Sequence, residues 1–199
     1  MAKLVNWHDF EHKIREKSLP LFSAVDICRL FGSSKVAALF LLHRYSKKGF
    51  IVRLKRNLYA LPDFLPPEPL IANKMVHPSY VSLEFALSYH QIIPETVYEI
   101  TSVTTKSTRR FEALGKIYSY RNIKKGAFTG YGTAKQKGFS FLIAEPEKAF
   151  TDFCYFKMLD RLEPNLRFNK KKLDWKKNFC YAELFQNKKL IDWMKGQQR

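Results

Sequence analysis

The sequence predicts an α+β protein, with an N-terminal winged helix-turn-helix over residues 1–65 and a mixed α+β domain with an antiparallel sheet over residues 66–199. Three observations predict this arrangement. Three short amphipathic segments precede an alternating hairpin pattern, a proline-rich segment follows the hairpin, and further alternating segments then lie between helical ones. The chain is 46% hydrophobic, so both parts have enough apolar side chains to build a core.

The first predicted helix covers residues 7–16. Trp7, Phe10 and Ile14 recur at spacings of three and four, which places them on one helical face. The segment ends before Pro20, because the residue that precedes a proline disfavours helical backbone.

A second short helix is predicted between Ser23 and Gly32. Ser23 and Asp26 have the spacing of a capping box, in which a hydroxyl and a carboxylate accept hydrogen bonds from free backbone amides. Gly32 ends the helix, since glycine adopts the left-handed backbone of a C-terminal cap readily. The apolar side is predicted to consist of Val25, Ile27, Leu30 and Phe31.

The third predicted helix follows this tight turn and runs from Ser33 and Ser34, which cap it, to about Lys48. Helix, glycine turn and helix in this order are typical of a helix-turn-helix. The apolar stripe is predicted to be Ala38, Leu41, Leu42 and Tyr45. The residues predicted to contact DNA from this recognition helix are Ser34, Lys35, Arg44 and Lys47.

After Gly49 the pattern changes to a period of two, which predicts a β-hairpin, the wing. Phe50, Val52 and Leu54 alternate with Ile51, Arg53 and Lys55, and a second strand covers residues 58–61. Asn57 suits a left-handed turn position between the strands. The predicted DNA contacts of the wing are Arg53, Lys55 and Arg56.

The net charge of +17 favours a polyanionic partner. Residues 20–62 carry eight Lys and Arg against the single Asp26, and residues 165–199 carry ten against three acids. Because the first basic block coincides with the helix-turn-helix pattern, double-stranded DNA is the predicted partner. The alternatives are a solvated basic surface, or a small winged module that only contacts proteins.

The second domain follows a linker over residues 62–69, whose four prolines resist helix and strand. Helices are predicted over residues 70–76 and 82–90, and a further helix begins at about Pro146, which suits a first helical turn. The glycines between 126 and 138 are interpreted as hairpin turns. The strands of a partly solvated antiparallel sheet are predicted over residues 97–104, 116–122, 127–132 and 139–143.

The basic tail, from Asn165 onward, interleaves cations with Phe168, Trp175 and Phe179. This pattern suits either single-stranded nucleic acid or an amphipathic helix that docks by its aromatic side chains. The docking interpretation is favoured.

Several function classes find no support in the sequence. No apolar run approaches the length of a membrane span, and residues 1–10 lack the apolar core of a signal peptide. Cys28, Cys154 and Cys180 are far apart and form no CxxC pair, so reduced thiols and a cytoplasmic location are expected. His8 and His12 have no further ligand nearby, and no catalytic constellation stands out. We therefore expect no cofactor, no metal and no enzyme activity.

Three segments resemble the AbiEi-type antitoxins, transcriptional regulators of abortive-infection toxin–antitoxin systems. Lys48–Tyr59 (KGFIVRLKRNLY) is similar to the family's wing, where a glycine usually stands at Asn57. Pro78–Leu87 (PSYVSLEFAL) resembles the segment that opens the second domain, although His90 is followed by glutamine and not by the family's common glycine. Ile143–Asp152 (IAEPEKAFTD) resembles an Ala-x-Pro-Glu-Lys-Ala helix. No resemblance extends beyond about residue 165.

The resemblance implies two roles. The N-terminal domain would bind operator repeats and repress its own operon, and the second domain would counter a cognate nucleotidyltransferase-like toxin. Two alternative functions stay open at this point. The chain could be a nuclease or modification-system component that its winged helix targets to DNA, or a transcription regulator whose second domain senses a ligand.

Overall fold

The computed structural model describes residues 5–161 and 167–198 and shows a mixed α+β protein. The chain divides into two compact units, Met1–Pro67 (unit 1) and Glu68–Arg199 (unit 2). Within the described part of the chain, no helix is long and apolar enough to cross a membrane.

The described residues of unit 1 form three helices followed by a hairpin. Most of these helices and turns begin or end at contacts between residues that are close in sequence. The side chain of Asn6 caps the first helix, the Ser23–Asp26 capping box is formed as predicted, and Gly32 ends the second helix at φ +62°. The elements are α1 (Trp7–Glu16), α2 (Ala24–Phe31), α3 (Lys35–Lys47), β1 (Val52–Lys55) and β2 (Leu58–Ala60).

The core of unit 1 is aromatic at its centre. The ring of Phe10 lies 5.1 Å from that of Tyr45 and 5.6 Å from that of Phe22. Ala24 and Ile27 are the side chains that α2 buries. The prediction that Val25 shares this apolar side is wrong, because Val25 follows Ala24 by one helical step of about 100° and is 45% exposed.

The hairpin pairs β1 with β2 in antiparallel register, and Asn57 in its turn has φ +60°, as predicted. Backbone hydrogen bonds in both directions between Phe22 and Tyr59 add a third extended segment. The predicted alternation is wrong at its start. Ile51 is buried, whereas Phe50 is partly exposed and packs on Trp7, because the strand begins only at Val52.

Unit 2 contains a six-stranded sheet in the order β5-β6-β4-β3-β8-β7. Three of its five strand pairs are antiparallel, but β4 pairs with β6, and β3 with β8, in parallel. The sheet is therefore mixed, which corrects the antiparallel prediction. The strands are β3 (Ser79–Val81), β4 (Ile100–Thr104), β5 (Arg109–Ala113), β6 (Lys116–Asn122), β7 (Tyr131–Gln136) and β8 (Phe139–Ala144).

The strand prediction for residues 127–132 is also wrong. Lys125–Ala127 forms a 3₁₀ turn, and β7 begins only at Tyr131. The short strands β3 and β5 were not predicted, since β3 is buried throughout and too short for alternation to show.

One helix of unit 2, α6 (Pro146–Asp160), is buried over much of its length. Its residues from Glu147 to Cys154 are all buried, including four polar or charged side chains. The helices are α4 (Glu68–Met75), α5 (Leu83–Tyr89), α6 (Pro146–Asp160), α7 (Trp175–Glu183) and α8 (Lys188–Gln198).

The basic tail docks by its aromatic side chains, the interpretation that the sequence favours. The predicted start of the tail, Asn165, lies outside the described residues. Phe168 and Trp175 both pack edge-on against Phe150 of α6. Phe185 is fully buried, with its ring 4.3 Å from that of Tyr155. Helices α7 and α8 therefore belong to the core of unit 2.

Candidate nucleic-acid interface

Ser34 and Lys35 begin the predicted recognition helix, and both are exposed. The hydroxyl of Ser34 accepts a hydrogen bond from the Ala37 amide at 3.2 Å, so this side chain is the N-cap of α3. Its hydroxyl oxygen is thus engaged in the helix itself, and a substitution would change helix stability as well as any contact with a base.

The cations near the end of α3 point in different directions. Arg44 donates to the Val5 carbonyl at 3.3 Å and stacks on Tyr45, which ties it to the segment before α1. Lys47 and Lys48 are exposed, and Lys48 lies over the ring of Phe50. Lys47 is therefore better placed than Arg44 for a contact with a partner.

The hairpin supplies the second group of predicted contacts. Arg53 and Arg56 are exposed, whereas Lys55 is half-buried. The Arg53 guanidinium donates to the Lys55 carbonyl at 3.4 Å. Asn57 accepts a hydrogen bond from the Ala24 amide at 3.0 Å, which anchors the hairpin turn at the N-terminus of α2. The turn that carries Arg56 is thus held in one position.

Carboxylates are almost absent from this basic surface. Asp26 is the single acid in residues 20–62, and its carboxylate accepts hydrogen bonds from the amide and hydroxyl of Ser23. In unit 1 Glu11 and Asp63 pair with Arg15, and Glu16 pairs with Lys17. Within the described chain, none of the ion pairs involves Lys35, Arg44, Lys47, Lys48, Arg53 or Arg56.

An apolar patch on the outward side of α3 was not predicted. Val36 is 63% exposed, Phe40 is 71% exposed, and Leu39 lies beside them. His43 completes the patch one turn further along the helix. The sequence contained the signal, since residues 36 and 40 are four apart and lie outside the buried stripe of Ala38, Leu42 and Tyr45. We call Val36, Leu39 and Phe40 the apolar face of α3.

Unit 2 has a buried polar network around α6. Lys148 and Asp152 are both fully buried and form an ion pair one helical turn apart. The Asp152 carboxylate also accepts hydrogen bonds from Tyr80 at 3.0 Å and from Ser82 at 2.9 Å. Burial raises the pKa of the Asp152 carboxyl and lowers the pKa of the Lys148 ammonium. The ion pair and the two hydroxyls offset this desolvation.

This network joins two of the segments that carry the family resemblance. Tyr80 and Ser82 belong to Pro78–Leu87, and Lys148 and Asp152 belong to Ile143–Asp152. Most residues of these two segments are buried, so few of their side chains can contact a partner. Ser82 occupies the N-cap position of α5, but its hydroxyl donates to Asp152 and makes no cap hydrogen bond.

A second polar group ties α7 to the start of α6. Lys177 forms ion pairs with Glu145 at 2.8 Å and with Glu147 at 3.5 Å, and the Tyr181 hydroxyl donates to Glu145 at 2.6 Å. The hydrogen bonds from Lys177 and Tyr181 lower the pKa of the Glu145 carboxyl. Gly130 lies directly against the Tyr181 ring, where a Cβ atom would be 2.7 Å away.

A cavity of about 380 Å³ lies between the sheet and α5 and α6. Four of its five charged lining residues form ion pairs, since Glu84 contacts Lys157 at 3.5 Å and Arg121 contacts Asp160 at 2.8 Å. Glu99 is the fifth.

Metal-ligating residue types are not gathered in the described parts of the chain, where no group of three His, Cys, Asp or Glu side chains could hold an ion. The rings of His8 and His12 lie 6.5 Å apart on the exposed side of α1. No protein-family model matches this chain, and a search of the curated proteins finds no match.

Proposed function

We propose that residues 1–65 act as a winged helix-turn-helix that binds double-stranded DNA, and that the chain is a transcriptional repressor and antitoxin. The DNA-binding part depends on one observation. Lys35, Lys47, Lys48, Arg53 and Arg56 are exposed and take part in none of the ion pairs of the described residues, and the single acid of residues 20–62, Asp26, is used inside the α2 cap. Exposed cations of this kind attract phosphates.

The order of elements supports the same proposal. A tight glycine turn joins α2 to α3, and the hairpin follows α3 directly, with Phe22 paired to its second strand. In winged helix-turn-helix proteins the second helix of the motif enters the major groove. Here that helix is α3, with Lys35 near its start and Lys47 near its end.

Salt dependence of DNA binding tests this proposal. Fluorescence anisotropy with a labelled 25-base-pair duplex and the full chain should give log K falling linearly with log salt. If about five phosphates are neutralised, the slope should be roughly −4 to −5. The triple variant Lys47→Gln/Lys48→Gln/Arg56→Gln should lower the steepness by about 0.9 for each cation that contacts a phosphate.

The matched control is Lys17→Gln, which removes an exposed cation of the same unit that pairs with Glu16. It should leave both affinity and slope unchanged. Absence of binding by the wild-type chain at low salt, or a slope that the triple variant does not change, would contradict DNA binding by this surface.

The antitoxin part of the proposal rests on the family resemblance. In the structure Pro78–Leu87 and Ile143–Asp152 meet at Asp152 in the core of unit 2. A toxin would therefore contact other, exposed parts of unit 2. The basic residues Lys171 and Lys172 lie on such a surface.

Coexpression tests this second role. We expect a nucleotidyltransferase-like reading frame beside this gene, and the full chain should restore growth to cells that express that protein. The triple variant of unit 1 should restore growth equally well, because neutralisation would not need DNA binding. If neither protein restores growth although both are soluble, the chain is a DNA-binding regulator without antitoxin activity.

A further inference from the structure

We propose that the apolar face of α3 recognises thymine methyl groups in the major groove of DNA. This inference rests on the proposed DNA-binding function and specifies its ligand as a thymine-containing duplex. The starting observation is that the apolar face of α3 is exposed, although its side chains cannot form hydrogen bonds with bases. The first half of the predicted recognition helix presents valine, leucine and phenylalanine where amides or guanidinium groups would be expected.

The positions of these side chains follow from the helix geometry. Val36, Phe40, His43 and Lys47 recur at spacings of four, three and four, so they lie on one side of α3. The opposite side carries Ala38, Leu42 and Tyr45, which the core of unit 1 buries. The apolar face is therefore separate from the side of α3 that packs into the core. Exposed apolar side chains that cluster in this way mark an interaction surface.

The charges around the apolar face indicate what covers it. Lys35 lies at one end of α3, Lys47 and Lys48 at the other, and all three are exposed. Residues 35–55 include no acid. A second copy of this chain docked on the same face would bring like charges together, which costs free energy. The complementary partner is a polyanion that presents apolar groups between its negative charges.

The major groove of DNA has this distribution of chemistry. It is about 12 Å wide, admits one α-helix, and has phosphates along both rims. In a helix-turn-helix the N-terminal part of the recognition helix faces the base edges, and cations near the ends of the helix meet those rims. Thymine alone among the four bases presents a methyl group there, and Phe side chains make apolar contacts with it. Val36 and Phe40 are placed to supply such contacts.

The first step of the test is selection of bound duplexes from a random library with the full chain. The enriched site should contain thymines at fixed positions. Each thymine is then replaced by deoxyuridine, which removes only the methyl group. Replacement at a contacted position should weaken binding about fourfold, the factor that corresponds to one buried methyl or methylene group. Replacement outside the contacted positions should have no effect.

The variants Phe40→Ala and Val36→Ala test whether the apolar face causes the difference in affinity between thymine and deoxyuridine duplexes. Each variant should bind the thymine duplex more weakly and should lose the difference between thymine and deoxyuridine at one position. Both side chains are largely exposed, so the melting temperature should stay unchanged. Val25→Ala is the control, because Val25 is an exposed apolar residue on α2, and it should keep full discrimination.

The possible failures are distinguishable. If no duplex binds, the proposed DNA-binding function is wrong and this inference falls with it. If duplexes bind but deoxyuridine and thymine sites are equivalent at every position, only the inference is overturned. Loss of toxin binding or of self-association in Phe40→Ala, with DNA binding intact, would also overturn it and would assign the apolar face to a protein partner.

Discussion

In unit 1 Lys35, Lys47, Lys48, Arg53 and Arg56 are exposed, and the single acid of residues 20–62 is used to cap a helix. In unit 2 the charged groups of α6 pair with each other or with neighbouring elements, and one pair is fully buried. Removing one partner of a buried ion pair destabilises a fold because it leaves an uncompensated charge, whereas removing an exposed cation outside ion pairs costs little. The contrast is therefore between exposed cations of α3 and the hairpin, which lie outside ion pairs, and the charged residues of α6, which are all paired.

The buried pair provides the largest expected effect. Asp152→Ala would leave the Lys148 ammonium without its carboxylate and deprive Tyr80 and Ser82 of their acceptor. We expect unit 2 to lose about 3–5 kcal/mol of stability, the usual cost of breaking a buried ion pair. Hydrogen exchange of the full chain, followed by mass spectrometry, measures the loss in each unit separately.

The matched control for this prediction is Asp160→Ala, in the same helix. Asp160 pairs with Arg121 while both side chains are about one third exposed, so its loss should cost less than about 1 kcal/mol. Similar effects of the two substitutions would break the comparison, because buried and exposed pairs would then contribute equally.

An intermediate effect is expected at the junction of α6 and α7. Lys177→Ala removes the partner that holds the pKa of Glu145 below its ordinary value. A lowered folded-state pKa stabilises the protein above the ordinary pKa of about 4.5, and this contribution disappears as the pH falls through the folded-state pKa. The pair is partly exposed, so the cost at pH 7 should stay below about 1 kcal/mol.

Urea denaturation of wild type and Lys177→Ala between pH 3 and pH 7 measures this dependence. The difference between the two proteins should be largest near neutral pH and should shrink below about pH 4.5. Lys176→Ala, at the exposed neighbouring position, serves as the control. A difference that grows on acidification would have the wrong sign for this mechanism.

The smallest stability effect is expected in unit 1. The Lys47→Gln/Lys48→Gln/Arg56→Gln variant should change the stability of unit 1 by less than about 0.5 kcal/mol, since it removes exposed side chains outside ion pairs. The same variant should bind DNA more weakly. Thermal unfolding, measured beside the DNA titration, tests both expectations. A large stability loss would show that these cations hold the fold, and the contrast between the units would disappear.

Local features of both units were predictable because they depend on neighbouring residues. The Ser23–Asp26 cap, the Gly32 helix end, the Asn57 turn and the start of α6 at Pro146 each involve contacts over a few positions. Hydrophobic periodicity located most helices for the same reason. The roles of Lys35, Lys47, Arg53 and Arg56 in DNA binding stay predictions, since their exposure is compatible with several partners.

The sequence by itself determined the α+β composition, the turn chemistry and the concentration of cations in residues 20–62. The tertiary structure decided which strands pair in parallel, because alternation along one strand contains no information about the direction of its neighbour. It also decided the acceptor of Tyr80 and Ser82, which lies 72 and 70 residues away in sequence. The exposure of Phe40 was likewise decided only by the tertiary structure. A helical apolar residue becomes surface or core only when the other helices pack, and in unit 1 they pack against the opposite side of α3.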